Sequence, residues 1–133
     1  MITSERQLKA AKEKLVTLKA DIAKSEAEGT PEILLEQAGS LGDQIQEEIN
    51  EYLDITSNGL EHIQIDDIED LVLMPVKYRL AQHKTLSEFS KEINVSERQV
   101  ARWEKEGYRN ISVPQLINII KNLPITIVGK FAM

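Results

Sequence analysis

The sequence predicts a mainly α protein made of an N-terminal helical hairpin, a bundle of short helices and a short C-terminal β-strand. Three observations support this fold class. Apolar residues recur at helical spacing over the first part of the chain. Closely spaced caps and turn residues divide the next part into short helices. The last residues are β-branched and alternate in part between apolar and polar.

The charge of the chain is divided unevenly along its length. The net charge is −6, but residues 1–73 carry 6 Lys and Arg against 17 Asp and Glu, whereas residues 74–133 carry 10 against 5. The absence of cysteine excludes disulfides and thiolate metal sites. No apolar run approaches the ~20 residues that cross a bilayer, and no secretory leader is evident. We therefore expect a cytoplasmic protein whose basic half binds nucleic acid and whose acidic half has another role.

The first segment is predicted to form a helical hairpin. Residues 3–26 place a narrow apolar stripe on one helix. Its members are Leu8, Ala11, Leu15, Leu18 and Ile22. Gly29 ends this helix, and Thr30 as N-cap with Pro31 at the first helical position begins a second helix that runs to about Asp54. The inner side of the second helix is expected to carry Leu34, Ala38, Leu41, Ile45, Ile49, Tyr52 and Leu53. Because two narrow stripes do not enclose a core, we expect this hairpin to pack on a partner chain.

The residues after the hairpin are predicted to form a linker and a leading helix. Ser57-Asn58-Gly59 is the clearest turn in the chain. Asp66, with Glu69 three residues later, resembles a capping box that opens a helix. The predicted domains are a hairpin at 1–57, a linker and leading helix at 58–73, a helical domain at 74–123 and a tail at 124–133.

The tail is predicted to form a strand. Ile125, Ile127 and Val128 are β-branched and partly alternate with polar residues. A lone strand is not stable by itself. It therefore needs a pairing partner, which the same segment of a second chain could supply.

The helical domain contains a helix-turn-helix pattern. Its helices are predicted near 75–84, 86–93, 97–106 and 113–122. Ser90 is the small residue that the motif needs where its two helices cross. Asn94 tolerates the left-handed backbone angles of the turn, and Ser96 can cap the next helix with Gln99 three residues later. The apolar residues at matching inner positions are Leu80, Phe89, Ile93, Val95, Val100 and Trp103.

The stretch from Thr85 to Glu104 resembles the Xre/Cro-like family of phage repressors and bacterial regulators. The Trp103-Glu104 pair is similar to the family's usual ending of the recognition helix. The resemblance covers about residues 74–123 and implies a lambda-repressor-like helical bundle that binds DNA.

The chain departs from the family pattern at three positions. Leu86 stands where the family often has a phosphate-contacting Gln, and Ser90 and Asn94 replace the usual Ala and Gly.

Two short N-terminal stretches, residues 2–7 and 48–52, are similar to a group of small bacterial regulators that includes HigA-like antitoxins.

The resemblance implies that the outward face of the third helix of the domain reads bases. The residues there are Glu97, Arg98, Gln99 and Arg102. Arg can fork to guanine, Gln can pair with adenine and Glu can accept from cytosine, each good bidentate contact discriminating by ~1–3 kcal/mol. Phosphate contacts fix register without reading sequence. The residues placed to make them are Lys84, Ser87, Ser96, Lys105 and Arg109.

Plainer interpretations compete with these assignments. The domain could be a small helical bundle whose third helix is merely solvated. Trp103 is placed in the core by its helical phase rather than against a base. His62 and His83 are too isolated to hold a metal, and the run Asp66–Asp70 is better explained by the helix dipole than by a cation. No phosphate loop, nucleophile elbow or acid–base pair is present, so neither a cofactor nor an enzymatic activity is predicted.

The expected function is that of a sequence-specific transcriptional regulator, with repression favoured, which reads operator DNA as a homodimer through a recognition helix at about 97–106. Two-fold proteins read half-sites about one helical turn apart. The alternative is an antitoxin of a type II toxin–antitoxin system, which binds a small basic toxin and represses its own promoter. In that case the acidic hairpin is the toxin-binding arm, although the stripe geometry favours dimerisation. A third possibility is a helical adaptor that has lost DNA binding.

Overall fold

The computed structural model describes residues 1–133 and confirms the mainly α fold. The chain divides into two compact units, Met1–Ile63 and Gln64–Met133. The first unit contains α1 (Glu5–Ala27), α2 (Glu32–Asn58) and a 3₁₀ turn at Leu60–His62. The second contains α3 (Ile68–Val72), α4 (Met74–Ala81), α5 (Leu86–Ile93), α6 (Glu97–Lys105) and α7 (Val113–Asn122). None of these helices combines the length and the apolar character needed to cross a membrane.

Local hydrogen bonds define both ends of α1. The Ser4 side chain accepts from the backbone N–H of Gln7 at 3.1 Å and caps the helix. At the other end Gly29 adopts φ +78°, a conformation that an L side chain rarely takes. Thr30 was predicted to cap α2, and this was wrong by one residue: Pro31 is the N-cap and no side chain bonds the first turn. Its fixed φ favours helix entry without a capping side chain.

The hairpin core lies near the open end of the hairpin. The buried apolar residues are Ile2, Leu8, Leu15, Ile45, Ile49, Tyr52 and Ile55. No residue between 16 and 44 is buried. The predicted inner positions Leu34, Leu41 and Leu53 are instead 52%, 42% and 40% exposed. A single neighbouring helix covers only a narrow strip of α2, so the flanking apolar positions stay open to solvent.

The leading helix of the second unit begins one residue later than predicted. Asp67, not Asp66, is the N-cap, and its carboxylate accepts from the backbone N–H of Asp70 at 2.8 Å. The Asp70 carboxylate in turn accepts from the backbone N–H of Asp66 at 3.0 Å. The bond from the Asp66 backbone N–H lowers the pKa of Asp70, because it stabilises the charged carboxylate. The acidic run therefore caps a helix.

Pro75 lies in the first turn of α4 and begins a new helix there. The helix was predicted to reach 84 but ends at Ala81. His83 takes a positive φ of 53°, and the Lys84 backbone N–H bonds the Arg79 carbonyl at 3.0 Å. This left-handed ending satisfies carbonyls of the last turn and stops the helix.

The core of the second unit is built around aromatic side chains. Phe89 and Val100 are 0% exposed and Trp103 is 3% exposed. The rings of Tyr78 and Phe89 lie 6.0 Å apart between centroids, as do those of Trp103 and Tyr108. These tilted pairs add to the stabilisation that burial provides.

The C-terminal strand that the sequence predicts is absent from the structure. Residues 123–133 contain no regular structure, and the backbone N–H of Ile125 bonds only the nearby Leu123 carbonyl at 2.8 Å. Val128 and Phe131 are exposed. β-branched composition favours extended backbone, but a strand also requires a second strand to bond, and the chain provides none.

Candidate nucleic-acid interface

The turn between α5 and α6 has the geometry that a helix-turn-helix requires. Asn94 adopts φ 55° and ψ 46°, which confirms the predicted left-handed residue. The backbone N–H of Val95 bonds the Ser90 carbonyl at 3.0 Å, closing the end of α5. Ser90 itself is 5% exposed, and its hydroxyl donates to the Ser87 carbonyl at 2.9 Å. The small hydroxyl is thus satisfied at the buried position predicted for it.

Both helices of the motif start at well-formed caps. Thr85 and Glu88 form a reciprocal capping box on α5, with both bonds at 3.1 Å. The bond from the Thr85 backbone N–H to the Glu88 carboxylate lowers the pKa of Glu88. The Ser96 hydroxyl accepts from the backbone N–H of Gln99 at 3.2 Å, as predicted for the start of α6. The first turn of α6 is therefore held in place by its own sequence.

Helix α6 has one buried side and one exposed side. Val100 and Trp103 anchor the inner side. The four predicted base-reading residues share this helix: Glu97, Arg98 and Arg102 are exposed and Gln99 is half-buried. Such a split leaves a polar helix face free to enter a groove.

The Lys and Arg side chains on and after α6 differ in whether they are paired with other groups of the chain. The side chain of Arg98 makes no hydrogen bond or ion pair within the chain. Arg102 lies 3.6 Å from the Glu106 carboxylate, but its side chain remains 64% exposed. Lys105 and Arg109 are exposed at the end of the helix and just beyond it. All four can reach an external ligand at little cost, because exposed ion pairs are weak.

Lys84, a predicted phosphate contact, is already bonded to other side chains of the same chain. Its ammonium donates to the Glu92 carboxylate and, at 3.1 Å, to the Tyr78 hydroxyl, and it lies 5.1 Å from the centre of the Tyr78 ring. The Tyr78 hydroxyl donates to Glu92 at 2.7 Å. These bonds raise the pKa of Lys84. Burial pushes the pKa of Glu92 upward, but the bonds from Lys84 and Tyr78 outweigh it and lower that pKa. A phosphate contact by Lys84 would compete with Glu92.

A buried ion pair that the sequence did not reveal joins α4 to α6. Arg79 donates from Nε to one Glu104 oxygen at 2.7 Å and from Nη2 to the other at 2.6 Å. Its Nη1 donates to the Lys84 carbonyl at 3.0 Å. The side chains of Arg79 and Glu104 are only 8% and 6% exposed. This fork geometry fixes the end of α6 against α4. The one signal in the sequence was a charge at each of two otherwise inward positions, 25 residues apart.

Tyr108 lies buried just after α6. It follows Gly107, and both residues have positive φ, 65° for Gly107 and 59° for Tyr108. The Tyr108 hydroxyl is buried without a hydrogen-bond partner. Burial, followed by the negative charge of Glu104, raises its pKa well above the usual range for tyrosine. Tyr108 is therefore neutral and serves packing, and the sequence did not single it out.

Part of the second unit matches a known protein family. Residues 77–129 match the sequence model of the helix-turn-helix family, which covers 53 of the 133 residues and includes α5 and α6. A search of curated proteins and a search of solved structures found no match. The second unit thus contains a helix-turn-helix domain, which is a DNA-binding regulatory domain. The resemblance to HigA-like antitoxins stays a prediction.

Proposed function

We propose that this protein is a transcriptional repressor that reads operator DNA with α6 in the major groove. The observation that carries the proposal is the two-sided character of α6. Its apolar side is anchored by Val100 and Trp103, while Arg98 on the other side has no partner within the chain. An exposed, unpaired arginine on the first turn of such a helix suits bidentate recognition of guanine.

The proposed division of labour on α6 separates base reading from phosphate binding. Glu97, Arg98, Gln99 and Arg102 read base edges. Phosphates are held by Lys105 at the end of α6 and by Arg109 just beyond it. Ser96, at the start of α6, and Ser87, in the first turn of α5, also hold phosphates. Lys84 joins them only if a phosphate displaces Glu92. Repression follows because a protein bound to a promoter blocks access of RNA polymerase to that promoter.

The test compares two exposed arginines with different proposed roles. Sequencing of genomic fragments retained by the wild-type protein supplies an operator, and affinities for that operator and for random DNA are then measured. Arg98→Ala should cost about 1–3 kcal/mol on the operator and much less on random DNA. Arg109→Ala should weaken both and reduce the salt slope by about 1. Equal losses on both DNAs for Arg98→Ala would remove it from the base-reading set.

A second candidate function is that of an antitoxin which also represses its own promoter. The observation that favours it is the charge of α2, which carries seven Asp and Glu and no Lys or Arg. An acidic helix of this kind complements a basic protein surface. A neighbouring reading frame that encodes a small basic protein, toxic alone and silenced by this chain, would support the antitoxin. A neighbour without toxicity would leave the plain repressor.

A further inference from the structure

The tip of the α1–α2 hairpin is an incomplete apolar structure. Between residues 16 and 44 no side chain is buried, although this part contains seven Val, Leu and Ile residues. Leu34 and Leu41 remain 52% and 42% exposed. They are seven residues apart, so they lie on the same side of α2. Gln37 and Gln44 complete this row at alternating spacings of three and four, and both are exposed.

The charges of the hairpin are segregated between its helices. Helix α1 carries six Lys and Arg against four Asp and Glu, whereas α2 carries seven Asp and Glu and no cation. The only charged side chains that a contact between two α2 helices would bring together are carboxylates. A contact between α1 of one chain and α2 of another joins helices of opposite net charge. This segregation makes the hairpin complementary to a second copy of itself.

We propose that the protein dimerises through the hairpin as a four-helix bundle, in which α1 of each protomer packs on α2 of its partner and covers Leu34 and Leu41. This inference rests on the proposed function to the extent that a dimer reads two half-sites. The two-fold axis then runs parallel to the helices, because only that axis places α1 against the partner's α2. Both copies of α2 consequently end at the same end of the bundle.

The same geometry fixes the register of the contact. Within one chain Gly42 faces α1, where an added Cβ would lie 3.5 Å from Leu18 and 3.7 Å from Leu15. With the axis parallel to the helices, the partner's α1 lies against α2 at the same height. Lys14 of one protomer is therefore level with Gln44 of the other, and both side chains are exposed.

The first test is the oligomeric state of full-length variants by sedimentation. The wild-type chain should be a dimer, and Leu34→Asp with Leu41→Asp should raise the dissociation constant at least about a hundredfold, because carboxylates would be buried in the contact. Val16→Asp is the matched control: Val16 is 69% exposed on α1 among exposed polar residues and alanines, and its variant should remain dimeric. Ile117→Asp, on the exposed side of α7, should also remain dimeric.

The second test does not depend on the folding of the aspartate variants. The chain contains no cysteine, so single introduced cysteines report contacts cleanly. A mixture of Lys14→Cys and Gln44→Cys chains, refolded together, should give mainly the mixed cross-linked dimer with a short bis-maleimide. Dominant Gln44→Cys self-cross-linking would contradict the α1–α2 arrangement.

The remaining outcomes separate this inference from the proposed function. Dimeric Leu34→Asp/Leu41→Asp chains, or dissociation caused by Ile117→Asp, would overturn the hairpin interface while DNA binding could still be intact. A monomeric wild-type chain would also overturn it and would leave the exposed row to a basic partner protein. Arg98→Ala should stay dimeric while its operator binding weakens, so a failure of DNA reading leaves the dimer test unaffected.

Discussion

Removal of the buried Arg79–Glu104 pair should cost most when only one partner is removed. The pair has two short bonds, and both side chains are more than nine-tenths buried. Truncation of one partner leaves an uncompensated buried charge, which typically costs about 3–5 kcal/mol. Arg79→Leu also removes the bond to the Lys84 carbonyl, worth about 1 kcal/mol. Because the free energy of unfolding of a small domain is about 5–15 kcal/mol, either single substitution removes a large share of the stability of the second unit.

The assay is urea unfolding followed by tryptophan fluorescence. Trp103 is the only tryptophan and is 3% exposed, so it reports on the second unit. With a slope near 1 kcal/mol per molar urea, Glu104→Leu should lower the midpoint by about 3 M or more. The double variant Arg79→Leu/Glu104→Leu should lie much closer to wild type than either single variant, because no charge is left unpaired.

The control for this cycle is an exposed charge in the same unit. Lys121→Leu should change stability by no more than about 0.5 kcal/mol. Additive effects of the two single substitutions would show that the two charges do not depend on each other, as would a loss of stability below about 1 kcal/mol for Glu104→Leu. Either result would mean that the pair is solvated in solution.

Three further predictions concern single residues. Asn94→Ala should lower stability by about 1 kcal/mol in urea unfolding, whereas Asn94→Gly should not, because glycine accepts the left-handed turn without strain; equal losses would contradict the turn assignment. Tyr108→Phe should raise stability by about 1 kcal/mol, since it removes a buried hydroxyl without a partner, and a loss of that size would indicate an unseen partner. Glu92 has a lowered pKa in the folded protein, so its stabilising contribution is present above its ordinary pKa of 4.5 and is lost as the pH falls through the folded value. The free energy of unfolding of the Lys84→Met variant should therefore fall less steeply than that of the wild type as the pH is lowered. An unchanged pH dependence would rule out this coupling.

Local chemistry explains why the helix-turn-helix could be predicted from the sequence. Asn94 at the turn and Ser96 at the cap act within a few residues of their own backbone, and Trp103 follows from helical phase. Each of these features depends on neighbours in sequence. The matched helices were accordingly placed within a few residues of their observed ends.

Features that depend on distant partners could not be predicted in this way. Arg79 and Glu104 are 25 residues apart, and no spacing rule connects them. The start of α3 shows a different, local ambiguity, because Asp66 and Asp67 both have an acidic residue three positions later and the sequence does not say which of them is the cap. Leu41 fits the helical stripe, but whether it is covered depends on the width of the facing helix.

The prediction of a C-terminal strand was wrong for a related reason. Its β-branched residues favour extended backbone, yet a strand is defined by its pairing and the sequence provides no second strand. Lys84 shows the same limit at the candidate site. A lysine near a recognition helix suggests a phosphate contact, but its position beside Glu92 and Tyr78 is set by the fold.

Whether α6 reads DNA sequence is measured by the ratio of wild-type affinities for the selected operator and for random DNA over a range of salt concentrations. We expect the operator to be preferred by a factor of about 10³ or more. We also expect both affinities to fall as salt rises, because Lys and Arg release counterions from the phosphates they contact. A ratio near one would contradict sequence reading by α6, and affinities that do not change with salt would contradict the proposed phosphate contacts.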